Sequence, residues 1–163
     1  MPDTEHILVA LVEDKPGVLT RVASLFRRRG FNIQSLAVGH SEQPGLSRMT
    51  VVVNGDSTVV EQVRKQLDKL INVIRVSDIG EGDVVARELS LMKVKATAAT
   101  RSEIIQIVDI FRANIVDVAS DSVTVEVTGD ENKMNSLFEL LRSFGIKEMA
   151  RTGRVALTRG AIS

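Results

Sequence analysis

The sequence lacks cysteine, tryptophan and tyrosine altogether, and it has only five phenylalanines among 163 residues. Without cysteine, the chain can form neither disulfide bonds nor thiolate metal sites. The shortage of aromatic rings leaves few surfaces on which the bases of a single-stranded nucleic acid could stack. No apolar stretch approaches the roughly 20 residues that a membrane-spanning helix needs. These absences disfavour a disulfide-stapled domain, an RNA-binding domain and a membrane protein.

An excess of one charge is also missing, because 21 Lys and Arg residues balance 21 Asp and Glu residues. Attraction to nucleic acid or to an anionic membrane is therefore not expected. The first residues carry no basic region of the kind that begins a signal peptide, so we expect a cytoplasmic protein. With 44% apolar residues, the chain is long enough to bury one large core or two small ones.

Signals for catalysis are missing as well. His6 and His40 are the only histidines, and neither has a second ligand at metal-binding spacing. The chain contains no nucleophile elbow, no phosphate-binding loop and no dinucleotide-binding fingerprint. Its carboxylates are scattered, and most fall on predicted solvent-facing helix surfaces. We therefore expect neither catalytic residues nor a metal site.

The strongest pattern that is present lies near the N-terminus, where a strand, a turn and a helix follow one another. The apolar run from Ile7 to Val12 predicts a strand that is buried on both faces. After a turn rich in Asp, Pro and Gly, apolar residues recur at helical spacing from about Gly17 to Arg29. Gly30 is the natural residue to end this helix, because glycine readily adopts positive φ.

The junction between this strand and this helix is a candidate anion site. Backbone N–H groups in the first turn of a helix lack intrahelical acceptors, and the helix dipole favours negative charge there. A carboxylate or a phosphate could therefore bind at this end. An ordinary tight strand-to-helix connection would show the same spacing, so spacing alone leaves both interpretations open.

The order strand, helix, strand, strand, helix, strand is predicted twice along the chain. Thr58 with Glu61, and Thr100 with Glu103, have the spacing of capping boxes that begin helices. Asp130 begins the last helix. The residues expected to be buried on the second and third helices are Val59, Val60, Val63, Leu67 and Leu70, and then Ile104, Ile105, Val108 and Phe111.

This order is that of the ferredoxin-like fold, so we predict an α+β protein with two ferredoxin-like βαββαβ domains. The glycines and acids from Gly80 to Asp83 mark the boundary, giving domains of residues 1–79 and 80–163. Each sheet would carry its helices on one face. We expect the other face to be covered by a second copy or by another subunit.

Two stretches resemble an ACT domain, a small ferredoxin-like module that senses small molecules: Glu13 to Leu19, and Gly30 to Ile33. Further segments resemble the small, regulatory subunit of acetohydroxyacid synthase, which is also called acetolactate synthase. These segments are Phe31–Leu36, Leu46–Thr50, Gln66–Leu70, Arg87–Leu89 and Arg151–Gly160. The resemblance spans nearly the whole chain.

That family implies a non-catalytic partner of a large subunit that makes 2-acetolactate and 2-aceto-2-hydroxybutyrate. The small subunit would raise the activity of the large subunit and confer feedback inhibition, commonly by valine. Thiamine diphosphate, Mg²⁺ and FAD would belong to the large subunit and none to this chain. Residues 1–79 would be the ACT domain, which binds the effector and forms a homodimer.

The resemblance also implies an effector site at Asp14, Pro16, Gly17, Val18, Leu19, Asn32 and Ile33. The N–H groups of Gly17 to Leu19 would hold the α-carboxylate of a branched-chain amino acid. Asn32 would form hydrogen bonds with the polar groups of the amino acid, and Ile33 would contact its aliphatic side chain. The family shares such a site between the two subunits of a dimer. Asp14 stands where the family often has Asn, and it could instead be a turn or capping residue. A stand-alone ACT-type sensor that controls a different protein is the alternative function.

Overall fold

The computed structural model describes residues 4–29, 32–80 and 83–160. Two compact units are present, one made of residues up to Val85 together with the segment from Arg154 onward, the other of Ala86–Gly153. The first unit thus extends past the predicted boundary at Gly80 and also includes the end of the chain. Gly30, Phe31, Glu81 and Gly82 lie outside the described residues.

The first unit is an antiparallel sheet with two helices on one face. In chain order its elements are β1 (Thr4–Glu13), α1 (Val18–Arg28), β2 (Ile33–His40), β3 (Leu46–Gly55), α2 (Ser57–Asp68) and β4 (Val73–Asp78). The strand order is β2-β3-β1-β4, which places β1 and β3 in the centre and β2 at an edge. The second unit repeats this arrangement with the same chain order.

The elements that follow are β5 (Val84–Lys95), α3 (Arg101–Ile110), β6 (Asn114–Val118), β7 (Ser122–Gly129), α4 (Glu131–Arg142), β8 (Ile146–Arg151) and β9 (Val155–Thr158). The second sheet has the order β6-β7-β5-β8, and β9 pairs with β5. Two ferredoxin-like βαββαβ repeats are therefore present, as predicted. None of the helices in the described ranges is both long enough and apolar enough to cross a membrane.

Alternation along β1 explains why its apolar run is unbroken. Leu8, Ala10 and Val12 belong to the core formed with α1 and α2. Ile7 and Val9 point to the opposite face of the sheet, here called the outer face, and are nonetheless 6% and 7% exposed. The central strand is thus buried on both faces, as its sequence predicts.

Residues near the C-terminus approach the outer face of this sheet. The Arg154 guanidinium donates two hydrogen bonds to the Glu5 carboxylate, at 2.7 and 3.0 Å. The backbone N–H of Arg154 donates to Ser35 Oγ. The Arg48 guanidinium donates to the Ala156 carbonyl at 2.7 Å. We call the segment Arg154–Gly160 the return segment. The return segment therefore covers part of this face in the first unit, and coverage of the rest by a second copy or another subunit stays a prediction.

One predicted helix cap is wrong, and a second lacks its hydrogen bond. Asp56 caps α2 instead of Thr58, since its carboxylate accepts a hydrogen bond from the Thr58 N–H at 2.8 Å. Thr100 is the N-cap residue of α3, as predicted, but its hydroxyl bonds to Thr97 and makes no cap bond, which is the local competition common for threonine. Asp130 is confirmed as the cap of α4, where it accepts from the N–H three residues further on.

Two apolar residues that were predicted to be buried are exposed. Val59 and Ile105 are each 39% exposed, whereas their neighbours Val60 and Ile104 are 1% and 0% exposed. Consecutive residues on a helix differ by about 100° in direction, so only one of each pair can face the core. Sequence alone gave no reason to prefer the second of two valines or the first of two isoleucines.

Candidate functional site

The end of β1 and the start of α1 are joined by a tight turn. Gly17 has φ 85° and ψ −9°, and the Val18 N–H donates to the Lys15 carbonyl at 3.4 Å. These values, with Pro16 in the preceding position, are those of a type II turn, in which the third residue must have positive φ. Glycine is the residue that takes this conformation without strain. The Pro16-Gly17 pair thus fixes where α1 begins.

The N-terminal end of α1 has unused hydrogen-bond donors. Gly17 is the N-cap residue, and no side chain caps this helix. The Val18 N–H bonds to Lys15 and the Arg21 N–H to Gly17, but the N–H groups of Leu19 and Thr20 find no acceptor within the described ranges. Of the three N–H groups predicted to hold a carboxylate, that of Val18 is therefore already engaged. Free donors at a helix start favour an anion.

Arginine lies beside these donors, which the sequence reasoning missed. Arg21 follows Gly17 by one helical turn, and its guanidinium lies 3.9 Å from where a Cβ on Gly17 would be. It donates to the Asn72 side-chain oxygen, and Asn72 in turn donates to Glu13 at 3.0 Å. Residues four apart share a helix face, so the spacing could have identified Arg21. Asn72 could not be found this way, because it lies in the turn just before β4.

The Glu13 carboxylate is held by two donors at this junction. Lys15 Nζ lies 2.9 Å from its Oε2 atom, and the amide of Asn72 donates to the same oxygen. The hydrogen bond from Lys15, followed by that from Asn72, lowers the pKa of Glu13 below its usual 4.5. Glu13 thus stays ionised, and the positive charge of Lys15 beside it offsets its repulsion of an anion at the helix start.

Asp14 lies next to the turn with its side chain half exposed to solvent. Its backbone N–H donates to the Gly45 carbonyl at 2.9 Å, while its carboxylate lies 3.6 Å from His40 Nδ1. The side chain makes no cap bond to α1. The carboxylate is therefore available to accept a hydrogen bond from a ligand. Leu19, 46% exposed, offers an apolar contact nearby on the helix, whereas Val18 is 3% exposed and belongs to the core.

Asn32 and Ile33 lie at the other end of the same sheet. Ile33 pairs with Val53, which pairs with His6, near the beginning of β1. Seven residues separate His6 from Glu13, and at about 3.3 Å per residue this is roughly 23 Å of strand. A free amino acid is far shorter than that distance. A single copy of the chain therefore brings Asp14, Pro16, Gly17, Val18 and Leu19 together but does not bring Asn32 and Ile33 to them.

Both histidines lie in strands. His6 is 4% exposed in β1, where one ring nitrogen contacts Asp78 and the other Thr4, each at 2.9 Å. His40 ends β2. Within the part of the chain that the structure describes, His, Asp and Glu side chains nowhere gather in threes that could hold a metal ion.

Two family models match the chain in succession. Residues 8–75 match the ACT domain that is typical of acetohydroxyacid synthase small subunits, and residues 87–160 match the small subunit of acetolactate synthase. The chain is 58% identical to the probable acetolactate synthase small subunit of Methanothermobacter thermautotrophicus, covering 98% of this chain and 95% of that protein. It is 53% identical to the acetolactate synthase small subunit of Mycobacterium bovis, and this match also covers 98% of this chain and 95% of that protein.

A solved structure is also similar over nearly the full length. The small subunit of acetolactate synthase from Thermotoga maritima has a TM-score of 0.91 and 43% identity, covering 98% of this chain and 99% of that one. The resemblance inferred from the two ACT stretches and the later segments is thus confirmed. This chain belongs to the acetolactate synthase small subunit family.

Proposed function

We propose that this chain is the regulatory subunit of acetolactate synthase, and that it binds a branched-chain amino acid at the start of α1. It would activate a large catalytic subunit in the cytoplasm and make that subunit sensitive to valine or a relative. Thiamine diphosphate, Mg²⁺ and FAD would be bound by the large subunit. The single observation that carries the effector site is the uncapped start of α1, with free N–H groups at Leu19 and Thr20 beside Arg21.

The arrangement suits each part of an amino acid. Free N–H groups and a guanidinium stabilise a carboxylate by charge-assisted hydrogen bonds. The exposed carboxylate of Asp14 can accept from an ammonium group, and it is set away from the free donors by the intervening turn. The exposed side chain of Leu19 supplies apolar surface for a branched side chain.

The distant position of Asn32 and Ile33 leads us to propose that two copies of the chain complete each site. In a symmetric dimer, the end of one sheet that carries Asn32 can meet the end of another that carries Gly17. Strand β2 supports this arrangement, because it is an edge strand on which Leu36 and Val38 are 36% and 47% exposed. A ligand bound between two copies would couple its binding to their relative position.

The proposed function is tested with the full chain and its large subunit. The chain alone should form no acetolactate from pyruvate, should raise the activity of the large subunit, and should render that activity sensitive to valine, leucine or isoleucine. Calorimetric titration of the chain with the three amino acids identifies the effector. Turnover by the chain alone, or failure to co-purify with the large subunit while still binding an amino acid, would contradict the proposal. The second result would favour a stand-alone sensor.

A further inference from the structure

The outer face of the first sheet carries a second feature that the effector site does not use. A groove of about 370 Å³ lies between this face and the return segment. Its lining includes the apolar residues Val9, Leu11 and Leu157 and the charged residues Glu42, Arg48 and Arg75. This volume falls in the range of small-molecule sites.

The register of the sheet places two arginines symmetrically in this groove. Leu11 pairs with Arg48 on one side and with Arg75 on the other, so the three residues form a row across three strands. Directly paired residues point to the same face, and strands lie about 4.8 Å apart. The two arginine Cα atoms are therefore about 10 Å apart, with the apolar Leu11 between them. Val9 lies two residues from Leu11 on the same face of the strand.

The two guanidinium groups differ in how far their hydrogen-bonding capacity is used. Arg48 donates to the Ala156 carbonyl, and burial lowers its pKa; the negative charge of Glu42 opposes this, and the positive charge of Arg75 adds a smaller lowering. Arg75 is exposed and has no carboxylate within ion-pair distance among the described residues. An anion between the two arginines would relieve their mutual repulsion.

We propose that this groove binds a small carboxylate with a short aliphatic chain. The carboxylate would lie between Arg48 and Arg75, where planar guanidinium groups suit its geometry. The aliphatic chain would cover Leu11 and contact Leu157 of the return segment. Two arginines and one glutamate give the groove a net charge of +1, which matches a monoanion better than a polyphosphate. Among the residues that the structure describes, none of those lining the groove is aromatic, so they offer no stacking surface for a nucleotide base.

The proposal does not depend on the effector site, because α1 packs on the other face of the sheet. Two kinds of ligand share the required chemistry. A simple aliphatic acid needs only the arginines and the apolar floor, whereas an amino acid could also use Glu42 to accept from its ammonium group. Isovalerate and valine represent these two cases, and isovaleramide is an uncharged match for isovalerate.

The test is calorimetric titration and thermal unfolding of the full chain with these three probes. Isovalerate should bind in the millimolar range and raise the melting temperature, and isovaleramide should do neither. Arg75→Gln should weaken isovalerate binding about tenfold or more. Arg28→Gln removes an exposed positive charge from α1 and should leave binding unchanged. Gly17→Asp should also leave it unchanged, which separates this groove from the effector site.

Valine then sorts the two ligand kinds. Both ligands are titrated into the Gly17→Asp chain. If valine binds more tightly than isovalerate does, and the further change Glu42→Gln removes this difference in affinity, the groove prefers an amino acid. Any other result means that it prefers the simple acid. Isovalerate binding that Arg75→Gln does not change would overturn the proposal. So would absence of isovalerate binding to the wild-type chain; loss of large-subunit association in Arg75→Gln would then assign the groove to protein docking.

Discussion

Substitution of Gly17 by aspartate tests the effector site, because it places a carboxylate where the ligand's carboxylate is proposed to bind. Gly17 has φ 85°, a conformation that costs an L-residue roughly 1–2 kcal/mol, with Asp and Asn among the more tolerant residues. A Cβ there meets nothing closer than Arg21 at 3.9 Å, so the side chain has room. The fold should therefore survive with a modest loss of stability.

Effector binding should suffer far more than stability. The introduced carboxylate lies beside the Arg21 guanidinium and the free N–H groups, and can satisfy them in place of the ligand. A hydrogen bond to a charged group contributes about 1.5–3 kcal/mol, so the loss of one weakens binding roughly 10- to 150-fold. Activation of the large subunit should persist if that contact lies elsewhere on the chain.

The assay is holoenzyme activity against valine concentration, with melting temperature as the check of folding. Gly17→Asn has the same size and the same φ requirement but adds no charge, so it should raise the inhibitory concentration much less than Gly17→Asp. Gly17→Ala reports the cost of the positive φ alone. A folded Gly17→Asp subunit with an unchanged inhibition curve would refute the proposed site.

Two further predictions concern stability. Leu67→Ala and Leu137→Ala each empty a fully buried position, one in each unit, and should each lower the free energy of unfolding by about 2–5 kcal/mol in chemical denaturation, whereas Val59→Ala should change it little. The pKa of Glu5 is lowered below 4.5, chiefly by its hydrogen bonds from Arg154. The contribution of this pair to the free energy of unfolding should therefore be complete above pH 4.5 and be lost as the pH falls through the lowered pKa of Glu5. The difference in melting temperature between wild type and Glu5→Gln should therefore be present at neutral pH and vanish in acid; a difference that is the same at both would contradict this assignment.

Local patterns in the sequence were enough to predict the elements of the fold. The unbroken run in β1 predicted burial on both faces, and Asp130 predicted the start of α4. Prediction failed where two local solutions compete, as with Asp56 and Thr58 at the start of α2, or where adjacent apolar residues leave the direction of a helix ambiguous. The return segment could not be foreseen, because its contacts with Glu5, Ser35 and Arg48 join parts of the chain more than 100 residues apart.

The candidate site shows the same division. Pro16 and Gly17 are adjacent in sequence, and their residue types alone specify the turn that begins α1. Asn72 reaches the site only because β4 pairs beside β1, which no local pattern reveals. The separation of Asn32 from Gly17 likewise follows from strand register and not from their closeness in sequence. That separation makes a site shared by two copies the central claim of the proposed function.

Mixing two defective variants tests this claim most directly. Gly17→Asp and Asn32→Ala should each abolish effector binding as homodimers, because each damages both shared sites. After the two are denatured together and refolded in equal amounts, about half of the dimers are mixed, and each mixed dimer has one intact site, so about a quarter of all sites should recover. Calorimetric titration with valine, or with whichever of the three amino acids binds the wild type, should detect this fraction at wild-type affinity. No recovery in a refolded mixture that contains mixed dimers would contradict the shared site and place Gly17 and Asn32 in separate roles.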